Sequence, residues 1–139
     1  MRPTLSSTLR AQVWEMDRGA CAYCRSPEEL SISPFEVDHI VPISAGGLSE
    51  LDNLCLACTN CNRLKSSRQE SIDPTTGAIA PLFHARRQPW SDHFGWSQDR
   101  TEIVGHTPTG RATISALQMN RPQLVRLRRL WRRLGYRLA

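Results

Sequence analysis

Asp38 and His39 are adjacent, Asn53 follows His39 by fourteen residues and Asn62 follows by nine more, with a C-x-x-C pair on either side of the group. A histidine with a reference pKa of about 6.5 keeps most of its imidazole unprotonated at neutral pH, ready to accept a proton. An aspartate and an asparagine offer one anionic and one neutral oxygen. So small a set suits a hydrated Mg²⁺ or Mn²⁺ that fills its other positions with water and substrate. His39 is therefore the candidate general base, and Asp38 and Asn62 are the candidate ligands of a catalytic divalent cation. Asn53 is the candidate orienter, its amide bonding backbone across a hairpin or fixing the imidazole. Neighbours on a regular strand face opposite ways, so Asp38 and His39 converge only if the strand ends or bends near Pro42 and Gly46-Gly47.

Cys21-Ala22-Tyr23-Cys24 and Cys58-Thr59-Asn60-Cys61 have the spacing at which one tight turn brings two thiolates to a tetrahedral ion. One such motif reads equally well as a redox pair. Two matched pairs predict a structural Zn²⁺ on Cys21, Cys24, Cys58 and Cys61, with the Asp-His-Asn segment folded between them. Cys55, inside Leu54-Cys55-Leu56-Ala57, is expected to be a small buried thiol. Cysteines of this type suit a reducing compartment.

The segments Glu36 to Pro42, Gly46-Gly47, Asp52-Asn53-Leu54 and Cys58 to Lys65 resemble the HNH nuclease family, a likeness that covers about residues 10–68. The resemblance implies an α+β chain with a small ββα-metal (His-Me finger) nuclease core. There a hairpin and a helix wrap one catalytic cation, and many members add a four-cysteine zinc knuckle. The third family position is often His; Asn62 resembles the Asn-bearing subset. The implied activity is that of an endonuclease, a hydrolase of DNA phosphodiester bonds, with His39, Asn53, Asp38 and Asn62 catalytic. The residue chemistry agrees, since such hydrolysis needs a base for water and a cation for the phosphate charge.

The net charge of +5 conceals an asymmetry: residues 103–139 hold eight Arg and no acid, whereas all thirteen Asp and Glu fall in residues 1–102. A basic tail of this kind reads as a phosphate-binding surface, so the expected partner is DNA, taken as double-stranded. Arg126, Arg129 and Arg133 are its candidate contacts. Arg63, Lys65 and Arg68 are further candidates, each equally readable as a solvated side chain. No apolar run spans eighteen residues and no cationic leader precedes one, so the expectation is a soluble, cytoplasmic protein without membrane contact, and the family resemblance implies a bacterial one.

Ser6 or Ser7 can cap a helix to about Asp17 with Leu9, Val13 and Met16 on one face and Gly19 ending it. Residues 32–43 hold apolar pieces that suit a hairpin across Gly46-Gly47, residues 51–56 read as a short turn or helix, and a helix is expected from Asn60 to about Ser71. The turn-rich Asp73-Pro74-Thr75-Thr76-Gly77 divides a nuclease core at 1–73 from an accessory extension at 74–139, packed on the core. Phe83, Trp90, Phe94 and Trp96 read as packing for a small hairpin in preference to base stacking. His84, His93 and His106 have no ligand-like spacing. A helix from Thr109 to about Met119 precedes a last helix, begun at Arg121-Pro122, that docks through Leu124, Leu127, Trp131 and Leu134. Two other functions stay open. One is a zinc-dependent DNA-binding module that does not cut. The other is a subunit of a phage, restriction or mobile-element complex, with a protein partner on that last helix.

Overall fold

The structure, a computed structural model, describes residues 5–138. Residues 1–4 and 139, the outer ends of the two expected regions, lie outside the described residues. The chain forms two compact units, one of residues up to 69 with 84–87, the other of residues 70–83 with those from 88 onward. Short helices and three two-stranded antiparallel pairs make it a small α+β protein. Among the described residues no helix is long and apolar enough to cross a membrane.

In the first unit, Ser6 caps α1 (Ser7–Met16) by accepting the Leu9 N–H, and Val13 is its buried residue. Met16 is exposed, against expectation. Asp17 ends the helix and takes the Leu56 N–H at 2.7 Å, so the C-terminal end of α1 is tied to a strand. Arg86 grips the same carboxylate through both terminal nitrogens at 2.8 Å, and its Nε reaches the Leu54 carbonyl at 2.9 Å. β1 (Glu36–His39) pairs with β2 (Leu54–Ala57), Asp38 lying opposite Cys55 and His39 opposite Leu54. The hairpin therefore forms, but its second strand is Leu54–Ala57, in the stretch read from sequence as turn or helix. Only Leu51–Asn53 is helical there, a single 3-10 turn. The apolar run from Leu54 to Ala57 is buried on both faces, which removes the alternation that marks a half-exposed strand.

α2 (Thr59–Lys65) ends six residues before the expected limit, because Ser66 leaves helical space with φ 52° while its N–H still bonds the Asn62 carbonyl.

The second unit begins with β3 (Glu70–Ile72), which pairs with β4 (Ile79–Pro81). The segment Asp73–Gly77, read from sequence as a boundary, is the turn of this hairpin. The Asp73 side chain accepts from Thr75 N and Thr76 Oγ1, and Gly77 takes the positive φ of 76° that closes it. Phe83 packs edge-on against Phe94, and Trp90, in the single turn α3 (Trp90–His93), lies on Phe94 and Trp96. β5 (Phe94–Trp96) and β6 (Ile103–Gly105) form the expected hairpin, its aromatic residues packed as a core. Thr107 caps α4 (Pro108–Ala116).

α5 (Pro122–Arg133) starts with Pro at its first position, as expected, but docks through Leu124, Arg128 and Trp131. Leu127 and Leu134 are 39% and 66% exposed, a correction to the expected stripe. The reason lies in what the helix covers. Arg128, 1% exposed, donates to the carbonyls of Thr101 and Met119 and to Asn120 Oδ1, with its guanidinium over the Trp96 ring at 5.3 Å. A leucine there would take their charged donor from the carbonyls of Thr101 and Met119. Arg126, Arg129 and Arg133 are exposed on the opposite face.

Asp73 is buried and ion-paired with Arg111 at 2.8 Å, and that hydrogen-bonded guanidinium holds its carboxyl down to about 2. A depressed carboxylate pKa stabilises the fold above the unfolded value of about 3.9, and the contribution is lost as pH falls through about 2. Arg111→Gln should therefore melt below the parent at pH 7, and the gap should close between about pH 4 and pH 2. Thermal denaturation followed by circular dichroism across that range checks the sign.

Candidate active site

On β1 alternate residues face alternate sides, so Glu36 and Asp38 share one face. Asn62 and Lys65, three apart on α2, lie above one another and meet that face in order. Asn62 Nδ2 donates to Glu36 Oε2 at 2.9 Å. Lys65 Nζ stands 3.1 Å from Asp38 Oδ2 and donates to Asp38 Oδ1 at 3.3 Å and to the His39 carbonyl at 3.1 Å. The two side chains of this ion pair are 1% and 2% exposed. Tyr23, inside the first C-x-x-C, donates its hydroxyl to Asp38 Oδ2 at 2.8 Å, and burial raises its pKa so that the proton stays. Lys65 was a candidate DNA contact; an ammonium buried against a carboxylate has no surface to offer a phosphate. Arg63 and Arg68, by contrast, are exposed.

His39 ends β1, and its Nε2 lies 2.9 Å from Ser49 Oγ. Asp38 and His39 line one open cleft of about 380 Å³ with Pro42, Ile43, Ser44, Ser66 and Ser67. The strand's end thus brings two side chains of opposite facing to a common space. Asn53 takes the backbone alternative of its two expected roles: Oδ1 accepts from Val41 N at 2.8 Å, and Nδ2 donates to the carbonyls of Val41 and Leu48 at 3.0 Å. It pins the loop that carries Ser49. Gly47 allows this, since a Cβ there would stand 1.8 Å from the Val41 oxygen.

The four knuckle sulfurs lie within 4.8 Å of one another, all buried. Cys24 and Cys58 Sγ are 3.8 Å apart, about the edge of a tetrahedron with metal–sulfur bonds near 2.3 Å. These thiols are placed to hold a metal such as zinc. Burial pushes the Cys21 thiol up, while hydrogen bonds from Cys21 hold Cys24 and Cys58 below the ordinary value, so the cluster shares protons that a cation would displace. Cys55 is buried beside Tyr23 and Asp38, and burial raises it, which keeps it a thiol.

α2 carries an oxygen of the kind a hard divalent cation takes. Asn62 is buried, and its Oδ1 has no hydrogen-bond partner among the described residues; an unsatisfied acceptor of this kind costs about 1–3 kcal/mol until something binds it. Asp38 has about four acceptor positions; Tyr23 and Cys55 meet it at Oδ2 and Lys65 reaches both oxygens.

Sequence reasoning missed Tyr23, Glu36 and Ser49. The i, i+2 spacing of Glu36 and Asp38 set against the i, i+3 spacing of Asn62 and Lys65 was the available signal for Glu36. Nothing comparable marks Ser49, which reaches His39 through a loop.

Residues 21–68 match the family model described as HNH endonuclease. The match covers the hairpin, α2 and both cysteine pairs, and it supports a nuclease-type function acting on nucleic acid. No curated protein matches the chain.

Removing one partner of a buried ion pair strands the other charge, at a cost of about 3–5 kcal/mol. Lys65→Met should lower stability by that order in urea titration, and adding Asp38→Asn should recover part of the loss. A Lys65→Met chain as stable as the parent would contradict the buried pairing.

Proposed function

We propose that the chain is a metal-dependent endonuclease that hydrolyses phosphodiester bonds of double-stranded DNA, with His39 as general base. The observation that carries this reading is the cleft shared by His39 and Asp38 within the segment that matches the HNH family. His39 Nε2 lies within hydrogen-bond reach of a hydroxyl oxygen, which is the reach a water needs to pass its proton to the ring as it attacks phosphorus. Asn53 fixes the loop on the far side of that ring through three backbone bonds. A Mg²⁺ or Mn²⁺ on Asp38 and Asn62 would supply Lewis-acid stabilisation of the phosphate charge and the departing 3′ oxygen. Lys65 holds the Asp38 carboxylate in place through contacts with both of its oxygens.

Zinc is the ion that four thiolates select, and at Cys21, Cys24, Cys58 and Cys61 it is structural, with no coordination position left for substrate. Reduced cysteines of this kind suit a cytoplasmic protein. We read residues 1–73 as the nuclease core and 74–139 as an accessory extension whose exposed Arg126, Arg129 and Arg133 contact the DNA backbone, with Arg63 and Arg68 as further contacts. A protein partner is the second reading of the last helix, favoured by the exposed Leu127, Leu130 and Leu134. Sizing at increasing concentration tests it.

His39→Ala should cut divalent-dependent plasmid nicking by at least about a hundredfold, the lower end of general-base contributions, with melting temperature and zinc content unchanged. Cleavage at the parent rate would remove His39 from the chemistry. Elemental analysis should find one Zn²⁺ per chain, and Cys→Ser at any knuckle position should lose it and unfold the protein, whereas Cys55→Ser should keep it.

Neutralising Arg126, Arg129 and Arg133 together should weaken binding to all DNA sequences alike. It should also flatten the dependence of log affinity on log salt by up to roughly one unit per lost phosphate contact. An unaltered salt slope would take this face off the DNA.

A further inference from the structure

The amide of Asn62 can be turned two ways, and its neighbour decides between them. Glu36 Oε2 is 2.9 Å from Nδ2. The Nδ2–Oε2 hydrogen bond holds the NH₂ toward Glu36 and leaves Oδ1 turned away from it, since an amide oxygen has no proton to give a carboxyl oxygen. The consequence is the oxygen already described, buried on α2 and unmatched by any donor among the described residues. Both parts are rigidly held: Glu36 pairs with Ala57 across the hairpin, and Asn62 is clamped one helical turn before the buried Lys65. Glu36 itself is half-buried at the start of β1, and among the described residues its side chain is hydrogen-bonded to Asn62.

We propose that Glu36 is a positioning residue, which orients Asn62 so that Oδ1, and not the amide nitrogen, is presented to the catalytic divalent cation. This rests on the cation site assigned above to Asp38 and Asn62. The role is that of an outer partner which sets a ligand's orientation without touching the ion, and such partners commonly change metal affinity by about 10–100-fold. A glutamine can make the same bond through Oε1 but, with an NH₂ of its own, no longer excludes the flipped amide; an alanine makes no bond at all.

The test uses the full-length, zinc-loaded chain and Mn²⁺ as the probe, with affinity read by electron paramagnetic resonance titration and the Asn62 side-chain amide read by NMR. Glu36→Ala should weaken Mn²⁺ binding by about tenfold or more and move the Asn62 NH₂ resonances toward those of a solvent-exposed amide, with zinc content and circular dichroism retained. Glu36→Gln should recover part of the affinity lost in Glu36→Ala and keep the Asn62 NH₂ resonances hydrogen-bonded. A Glu36→Ala chain that binds Mn²⁺ like the parent overturns the proposal and leaves the cation site standing. A Glu36→Gln chain as impaired as Glu36→Ala also overturns it, because Glu36 would then act through its charge as a ligand. A parent chain that binds no Mn²⁺, or an Asn62→Ala chain that binds it unchanged, removes the cation site and the proposal together. If Glu36→Ala fails to fold, the Gln variant decides: affinity kept in part supports the positioning role and lost affinity refutes it.

Discussion

A lysine ammonium with almost no solvent exposure sits on an aspartate equally buried, and much of the first unit is arranged so that neither charge is left alone. Two unit charges in an interior attract strongly, but each carries a desolvation cost of several kcal/mol that only close geometry and further hydrogen bonds offset. Tyr23 supplies one such bond and the His39 carbonyl another. The first couples the knuckle to the hairpin and the second couples α2 to the end of β1. The pair therefore sets the rotation of α2 about its axis. Once Lys65 is over Asp38, helical periodicity leaves Asn62 over Glu36 and directs the two cysteines of the helix's first turn toward Cys21 and Cys24.

The same interaction explains how an aspartate and a histidine with opposite facing serve one cleft. Asp38 is held from behind by Tyr23 and Lys65, while His39 is reached from the loop side by Ser49. Neither side chain has to bend the strand. The cleft forms where the strand stops, and Asn53, bonded to backbone at both ends of the loop, keeps that stopping place rigid.

Much of this was legible in the sequence, and the failures share a cause. The cysteine pairs, the His39 and Asp38 neighbourhood, the Ser6 cap, the aromatic hairpin and the start of α5 are local signals, carried by residue type and short spacing. β2 was not legible, because a strand buried on both faces loses its alternation. The early stop of α2 was not legible because it depends on one backbone torsion at Ser66. Lys65 was misread, and Arg128 passed over, for a deeper reason: a long cationic side chain looks the same in a sequence whether it meets water or a buried acceptor. Only the fold shows that Arg128 faces the carbonyls of Thr101 and Met119.

Arg86 has a consequence for the order in which the chain can assemble. It belongs with the first unit, fifteen or more residues past the point where that unit's main segment ends, and it supplies the guanidinium that Asp17 and the Leu54 carbonyl require. During synthesis the hairpin and knuckle emerge well before residue 86 does, so the Asp17 carboxylate waits without its counterion while β3 and β4 are still being made. A fragment cut at the turn around Asp73 would preserve that waiting state permanently. The main segment of the first unit and the arginine that neutralises its Asp17 are therefore different stretches of chain.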